Sequence, residues 1–250
     1  MKQHLIVGDI HGCLDELDAL LLESEFKKGE DQLFFVGDLV DRGPCSLGVI
    51  RRMRELNAIG VLGNHDEKFL RWLKGSDVKV SSGLETTIKE CQGLGRSELD
   101  DIAEWLDGLP TIYRHTSRKV PVCNFWLVHA EPVIQGPYKY TRNANLRGTR
   151  RDFNGESYRF NWWDFDMGLD SVFYGHYWFK EPMFRRHGFT GRSLGLDTSC
   201  CRGGSLTGYL LEMDKIISIP AKAVYCEQDD SERKANEELA WNSWKSRGWV

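Results

Sequence analysis

Leu33-Phe34-Phe35-Val36-Gly37-Asp38-Leu39-Val40-Asp41-Arg42-Gly43 is the stretch that decides how this chain folds. Four apolar residues predict a short buried strand, a glycine ends it, and Asp38, Asp41 and Arg42 follow at once. The pattern recurs three times. His4–Val7 runs into Gly8-Asp9-Ile10-His11, Ile59–Leu62 into Gly63-Asn64-His65-Asp66, and Val172–Tyr174 into Gly175-His176. A single Gly-Asp carries no weight, but repeated strand-glycine-ligand strings describe polar side chains gathered at strand ends.

Helical signals fill the gaps between the first three strings. Leu14, Leu17, Leu21 and Leu22 fall on one helical face; Leu47, Ile50, Met53 and Leu56 fall on another, with Ser46 as the expected N-cap. A third helix is expected near Glu67–Leu73. The resulting β-α-β-α-β-α order predicts a mostly parallel start to a sheet, hence an α/β (α+β) fold.

Residues 75–110 read as a polar helical insert, with a stripe of Leu99, Ile102, Ala103 and Leu106 ending at Gly108 and Pro110. Two readings stand: a cap over the site, or a helical connection on one face. The second half is strand-rich, with candidates at Thr111–Arg114, Phe125–Val128, Val172–Tyr174, Ser193–Leu196, Thr207–Leu211 and Ile216–Ile219. Pro132 to Asp170 reads as one long loop of Gly, Asn, Arg and aromatics. The expected division is a catalytic domain over 1–221 and a charged helical tail over 222–250, docked by Trp241 and Trp244.

The chain has 250 residues, a formal net charge of -4 and seven cysteines. That balance offers no strong nucleic-acid signal. The missing signal-like start, the absence of a membrane-length apolar run and the odd cysteine count without Cys-x-x-Cys predict a cytoplasmic protein without a structural zinc site. Cys200-Cys201 reads as two reduced thiols.

The candidate ligands are Asp9, His11, Asp38, Asn64, His129 and His176: two carboxylates, an amide oxygen and three imidazoles. Six donors exceed the needs of one ion. Two adjacent cations need a bridging anion, and Asp38 is the natural one. A mixed O/N set without thiolate suits Mn, with Fe or Zn also compatible. Arg42 offers a planar fork for a phosphate. His65, beside Asn64, is placed to protonate a leaving oxygen, with Asp41 orienting it. Arg147 and Arg150 are either a solvated basic face or further substrate readers. Trp162, Trp163, Phe165, Tyr177, Trp178 and Phe179 are either core or a stacking surface for a base.

GDIHG at 8–12, GDLVDRG at 37–43, GNHD at 63–66, His129-Ala130 and Gly175-His176 occur in the order of a known pattern. In these motifs the chain resembles the metallophosphoesterase superfamily and, within it, the phosphoprotein phosphatase (calcineurin-like) family, as a small bacterial or phage-type member. The resemblance covers roughly residues 4–220. It implies a β-sandwich flanked by helices and a dinuclear centre, with Asp9, His11 and Asp38 on one ion and Asp38, Asn64, His129 and His176 on the other. It further implies Arg42 on phosphate and His65 with Asp41 as the acid pair.

The implied activity is hydrolysis of phosphate esters by direct attack of metal-held hydroxide. Phosphate monoesters, as in protein Ser/Thr phosphatases, are the first expectation. A dinucleoside polyphosphate hydrolase or an RNA-repair-type phosphatase/2',3'-cyclic phosphodiesterase is the alternative. The partner is a phosphorylated substrate: a phosphoprotein, a small phosphate ester or a nucleotide. The pattern departs from the family at Gly175-His176-Tyr177-Trp178, where Tyr177 replaces a small residue, and at Asp197-Thr198-Ser199.

Overall fold

In the computed structural model, residues 2–117, 124–133, 138–153, 156–159, 161–164, 170–187 and 191–227 are described. Two five-stranded sheets face each other. The first takes β1 (His4–Val7), β2 (Gln32–Phe35), β3 (Ile59–Gly60), β11 (Ser205–Leu210) and β12 (Lys215–Pro220), in the order β12-β11-β1-β2-β3. β1, β2 and β3 run parallel, as their sequence order predicts, while β11 and β12 join antiparallel. The second sheet takes β4 (Ile112–His115), β5 (Phe125–Val128), β8 (Ser171–Tyr174), β9 (Met183–His187) and β10 (Gly191–Gly195), in the order β4-β5-β8-β10-β9. Here β5, β8 and β10 are parallel.

Both faces of β1 and β2 are buried, which is why their sequences are continuous rather than alternating apolar runs. Ile6, Phe34 and Val36 point between the sheets, against Phe125, Leu127, Phe173 and Leu194. Leu5, Val7, Leu33 and Phe35 face the helical layer. That layer is α1 (Leu14–Glu23), α2 (Ser46–Glu55), α3 (Asn64–Leu73), α4 (Leu84–Glu90) and α5 (Arg96–Asp107). The α1 stripe differs from expectation in one place. Leu20 is buried and Leu22 is 81% exposed, because the face turned to the sheet runs through Leu17 and Leu20.

Ser46 does not cap α2. Cys45 holds the cap position, and Glu90 of α4 accepts from the Ser46 and Leu47 amides at 2.8 and 2.9 Å. A carboxylate there satisfies orphan amides and meets the positive end of the helix dipole. α3 begins three residues earlier than the apolar pattern predicts, so Asn64 and His65 stand in its first turn.

The 132–170 segment is not one loop. It carries α6 (Tyr138–Arg147), the hairpin of β6 (Arg150–Phe153) and β7 (Glu156–Arg159), and a 3-10 turn over Trp162–Asp164. α6 has little apolar periodicity, and its end is tied by tertiary bonds: Ala130 N to Asn145 O at 2.7 Å and Glu131 N to Ala144 O at 3.2 Å. Propensity is a weak guide where such contacts decide. Strand β9 also escaped the sequence reading, since the edge strand Met183-Phe184-Arg185-Arg186-His187 mixes apolar and charged residues.

α4 and α5 complete the helical layer, with Ile102 and Leu106 buried in the core beneath. After β12 the chain runs back to α1, where Glu16 accepts from Lys222 N and from Tyr225 Oη, both at 2.8 Å. Residues 228–250, with Trp241 and Trp244, lie outside the described part. Among the described residues, no helix is long and apolar enough to cross a membrane.

Candidate metal centre

The parallel strands of both sheets end on one side of the sandwich, and the loops that leave them converge there. β1 delivers Asp9 and His11, β2 delivers Asp38, Asp41 and Arg42, and β3 leads to Asn64 and His65. β5 delivers His129 and β8 delivers His176. Gly63 and Gly175 permit the close approach: a Cβ on Gly63 would lie 2.1 Å from Asp38 Oδ1, and one on Gly175 would lie 1.8 Å from Asp9 Oδ1. His11, Asp38, Asp41, Arg42 and His176 all have positive φ, between 46° and 72°. Non-glycine residues hold that conformation only where the surrounding structure imposes it, and such strain collects at functional sites.

Asp38 stands at the middle. Its Oδ2 lies 3.5 Å from His11 Nε2 and 3.4 Å from His129 Nε2, and its Oδ1 accepts from His65 N at 2.9 Å. It belongs to two groups of close donors, His11/Asp38/His65 and Asp9/Asp38/His129. Asn64 Oδ1 lies 3.0 Å from His129 Nε2 and 2.8 Å from His176 Nδ1. All six expected ligands are thus brought together.

The donors fit divalent cations. Nδ1 of His11 donates to the Val40 carbonyl at 2.8 Å, and Nδ1 of His129 to the Val36 carbonyl at 2.9 Å. A carbonyl only accepts, so these bonds fix the tautomer and turn each Nε2 inward, as outer partners of metal-binding histidines do. Asp9 Oδ2 accepts from His176 N at 3.0 Å, while its Oδ1 is buried with no hydrogen-bond partner. Burial, then Asp197 and Asp38, hold the Asp9 carboxyl well above its ordinary range. Burial alone would also raise Asp38, but His129, His65 and His11 hold it well below. Burial and then Arg42 depress His11. Packing carboxylates this closely away from water calls for positive charge between them.

His65 Nδ1 and Asp41 Oδ2 are 2.7 Å apart, both groups buried. Asp41 is itself fixed: Thr87 Oγ1 donates to its Oδ1 at 2.8 Å, and its amide donates to Ser46 Oγ at 3.0 Å. Asp66 serves the scaffold, accepting from Gly63 N at 3.0 Å and Leu39 N at 2.9 Å. Arg42 reaches the centre, its Nη1 donating to His11 Nε2 at 2.8 Å. Arg147 is exposed and pairs with Glu67 at 2.8 Å. Arg150 opens β6, and its side chain lies outside the described part.

The aromatic reading resolves toward core. Trp162, Trp163 and Tyr177 are buried on the outer face of the second sheet, where Trp162 Nε1 donates to Ala130 O at 2.8 Å. Phe165 lies outside the described residues. Asp197 is the residue the sequence reading left out of the site. It is buried at the end of β10, close enough to raise Asp9, and its own carboxyl is raised by burial. The signal was Gly195-Leu196-Asp197, the same strand-glycine-acid string with one residue interposed. Thr87 sits on α4 and carried no signal. Away from the centre, Cys13, Glu16 and Cys200 form a second buried group of close donors, beside free Cys201.

The sequence profile of the family described as Calcineurin-like phosphoesterase matches residues 4–185. The bis(5'-nucleosyl)-tetraphosphatase PrpE [asymmetrical] of Bacillus subtilis (strain 168) is 35% identical over 89% of this chain and 96% of its own length. A symmetrical bis(5'-nucleosyl)-tetraphosphatase of Psychromonas ingrahamii is 42% identical, over 50% of this chain and 42% of its own. The crystal structure of a candidate diadenosine tetraphosphatase aligns with a TM-score of 0.66 and 29% identity, covering 88% of this chain and 94% of that one.

Proposed function

This chain belongs to the calcineurin-like phosphoesterase family and is a phosphoesterase hydrolase; from that premise we propose that it hydrolyses dinucleoside tetraphosphates, splitting them asymmetrically into a nucleoside triphosphate and a nucleoside monophosphate. The observation that carries this reading is the PrpE similarity, which runs along nearly the whole length of both chains. The symmetrical relative matches only half of this one. The expectation that put phosphoprotein monoesters first gives way to its alternative.

The site suits the reaction. Bound among Asp9, His11, Asp38, Asn64, His129 and His176, two divalent cations would neutralise the phosphoryl oxygens and acidify the attacking water. Mn fits the nitrogen and oxygen donors, as do Fe and Zn. Arg42 holds a non-bridging oxygen of the attacked phosphate. His65, oriented through Nδ1 by Asp41, presents Nε2 to the oxygen that leaves. Water adds to one phosphorus, one P–O–P bond breaks, the proton on His65 Nε2 passes to the leaving oxygen, and the proton released by the water goes to solvent, from which His65 is reprotonated. Arg147 and Arg150 remain candidate substrate contacts, and residues 75–110 a candidate cap.

A substrate panel with Mn, against EDTA-treated enzyme, tests this. The panel is diadenosine tetraphosphate, a phosphopeptide, p-nitrophenyl phosphate and a 2',3'-cyclic nucleotide. Diadenosine tetraphosphate is expected to show the highest kcat/KM, giving ATP and AMP. A higher value for the phosphopeptide would overturn the reading, and two molecules of ADP would overturn the asymmetric split.

A further inference from the structure

Beside the metal centre lies a cleft of about 520 Å³ that the chemistry above leaves unused. Besides Arg42, its walls come from three distant parts of the chain: Lys79, Ser81 to Gly83 and the start of α4, then Arg202 in the turn after β10, and Tyr225 to Glu227 beyond β12. Arg42 is common to both places. Its guanidinium reaches His11 in the centre at 2.8 Å, while its backbone lies against Gly83 in the cleft wall, Arg42 N donating to Gly83 O at 3.4 Å. Arg42 therefore links the cleft to the centre, and it is the residue proposed above to hold the attacked phosphate. The wall is anchored, since Lys68 Nζ donates to Ser81 O at 2.7 Å.

The lining sets two cations, Lys79 and Arg202, against two solvent-exposed carboxylates, Glu85 and Glu227, with Arg42 shared with the centre. A volume in the range of small-molecule sites, cationic side chains and an aromatic ring suit an anionic nucleotide. Tyr225 supplies the ring, and its hydroxyl is already committed to Glu16 at 2.8 Å, which fixes its position. A tetraphosphate cut at one end leaves three phosphates on the departing nucleotide. Their charge extends beyond the reach of Arg42 and needs cations further out.

We propose that this cleft holds the oligophosphate arm of the leaving nucleotide, with Lys79 and Arg202 as its counter-charges. The assignment rests on the tetraphosphatase reading for its substrate, but the cleft's affinity for oligophosphate is measurable without it.

The experiment uses the full Mn-loaded chain and the variants Lys79→Ala, Arg202→Gln and the double variant. Lys79 is an exposed loop residue, so its variant tests the cleft even where Arg202→Gln fails to fold. Two ratios are read: KM for diadenosine tetraphosphate relative to p-nitrophenyl phosphate, and Ki of inorganic tripolyphosphate relative to orthophosphate against p-nitrophenyl phosphate hydrolysis. Each ratio should rise about tenfold per removed charge, the size of one charge-assisted hydrogen bond. Arg202→Lys should recover part of the loss. Ratios within about twofold of the parent in the folded variants would overturn the proposal. If the parent does not turn over diadenosine tetraphosphate but tripolyphosphate inhibition still weakens in the variants, the substrate reading falls and the cleft stands.

Discussion

At the scale of single residues, Asp38 and His65 are expected to do separable jobs. Asp38 belongs to both groups of close donors, with His11 and His129 at 3.5 and 3.4 Å. Asp38→Asn is expected to lose metal and turnover together, checked by metal content against rate. His65 keeps its imidazole through Asp41 at 2.7 Å. His65→Asn is expected to retain both metals and lower kcat by about 10²- to 10⁴-fold on an alkyl phosphate, whose leaving oxygen needs a proton. The loss should shrink on p-nitrophenyl phosphate, whose leaving group departs readily as an anion. Equal losses on both esters would rule out the acid role. The candidate ligands and this pair were legible in the sequence because each follows a strand and, for all but His129, a glycine. Thr87, which donates to Asp41 at 2.8 Å, was not, because only the packing of α4 against α2 brings it there.

At the scale of elements, the approach to α4 positions Arg42. Gly83 has φ of +93°, and a Cβ there would lie 2.3 Å from Arg42 N. Gly83→Ala is expected to displace Arg42, raising KM for every phosphate substrate while metal content stays unchanged. Gly93→Ala is the matched control: it shares a left-handed φ of +94° but meets nothing within 4 Å. Both substitutions carry a backbone cost of about 1–2 kcal/mol, so only the difference between their KM values reports on Arg42. The helices and parallel strands of the first sheet were readable from their apolar spacing. α6 and the β6–β7 hairpin were not, since tertiary bonds stand in for the apolar stripe that α6 lacks.

At the scale of the whole molecule, the centre couples folding to pH and metal. Without metal, burial and neighbouring carboxylates push Asp66 up to about 7 and Asp9 well above its ordinary value, and burial raises Asp197. His129 is raised as well: burial opposes the shift, and Asp38, the Val36 carbonyl and Asp66 together outweigh it. Above about pH 6.5 the unfolded chain has released protons that these groups still hold, so stability falls as pH rises toward 8. His11, depressed by burial, works in the opposite sense only below its ordinary value of 6.5. Urea midpoints of EDTA-treated protein should therefore decline from pH 6.5 to 8, and Mn should abolish the decline by holding the carboxylates ionised. A flat profile for the metal-free protein would contradict this account. The sequence by itself determined the strand ends, the candidate ligands that follow them and the family, because strand, turn and candidate ligand are neighbours along the chain. Only the tertiary structure decided that Asp197 joins the carboxylates, that Glu90 caps α2, and that Lys79, Arg202 and Tyr225 share a cleft with Arg42. Those groups lie tens of residues or more apart, and it is the packing of the sheets and helices that brings them within reach.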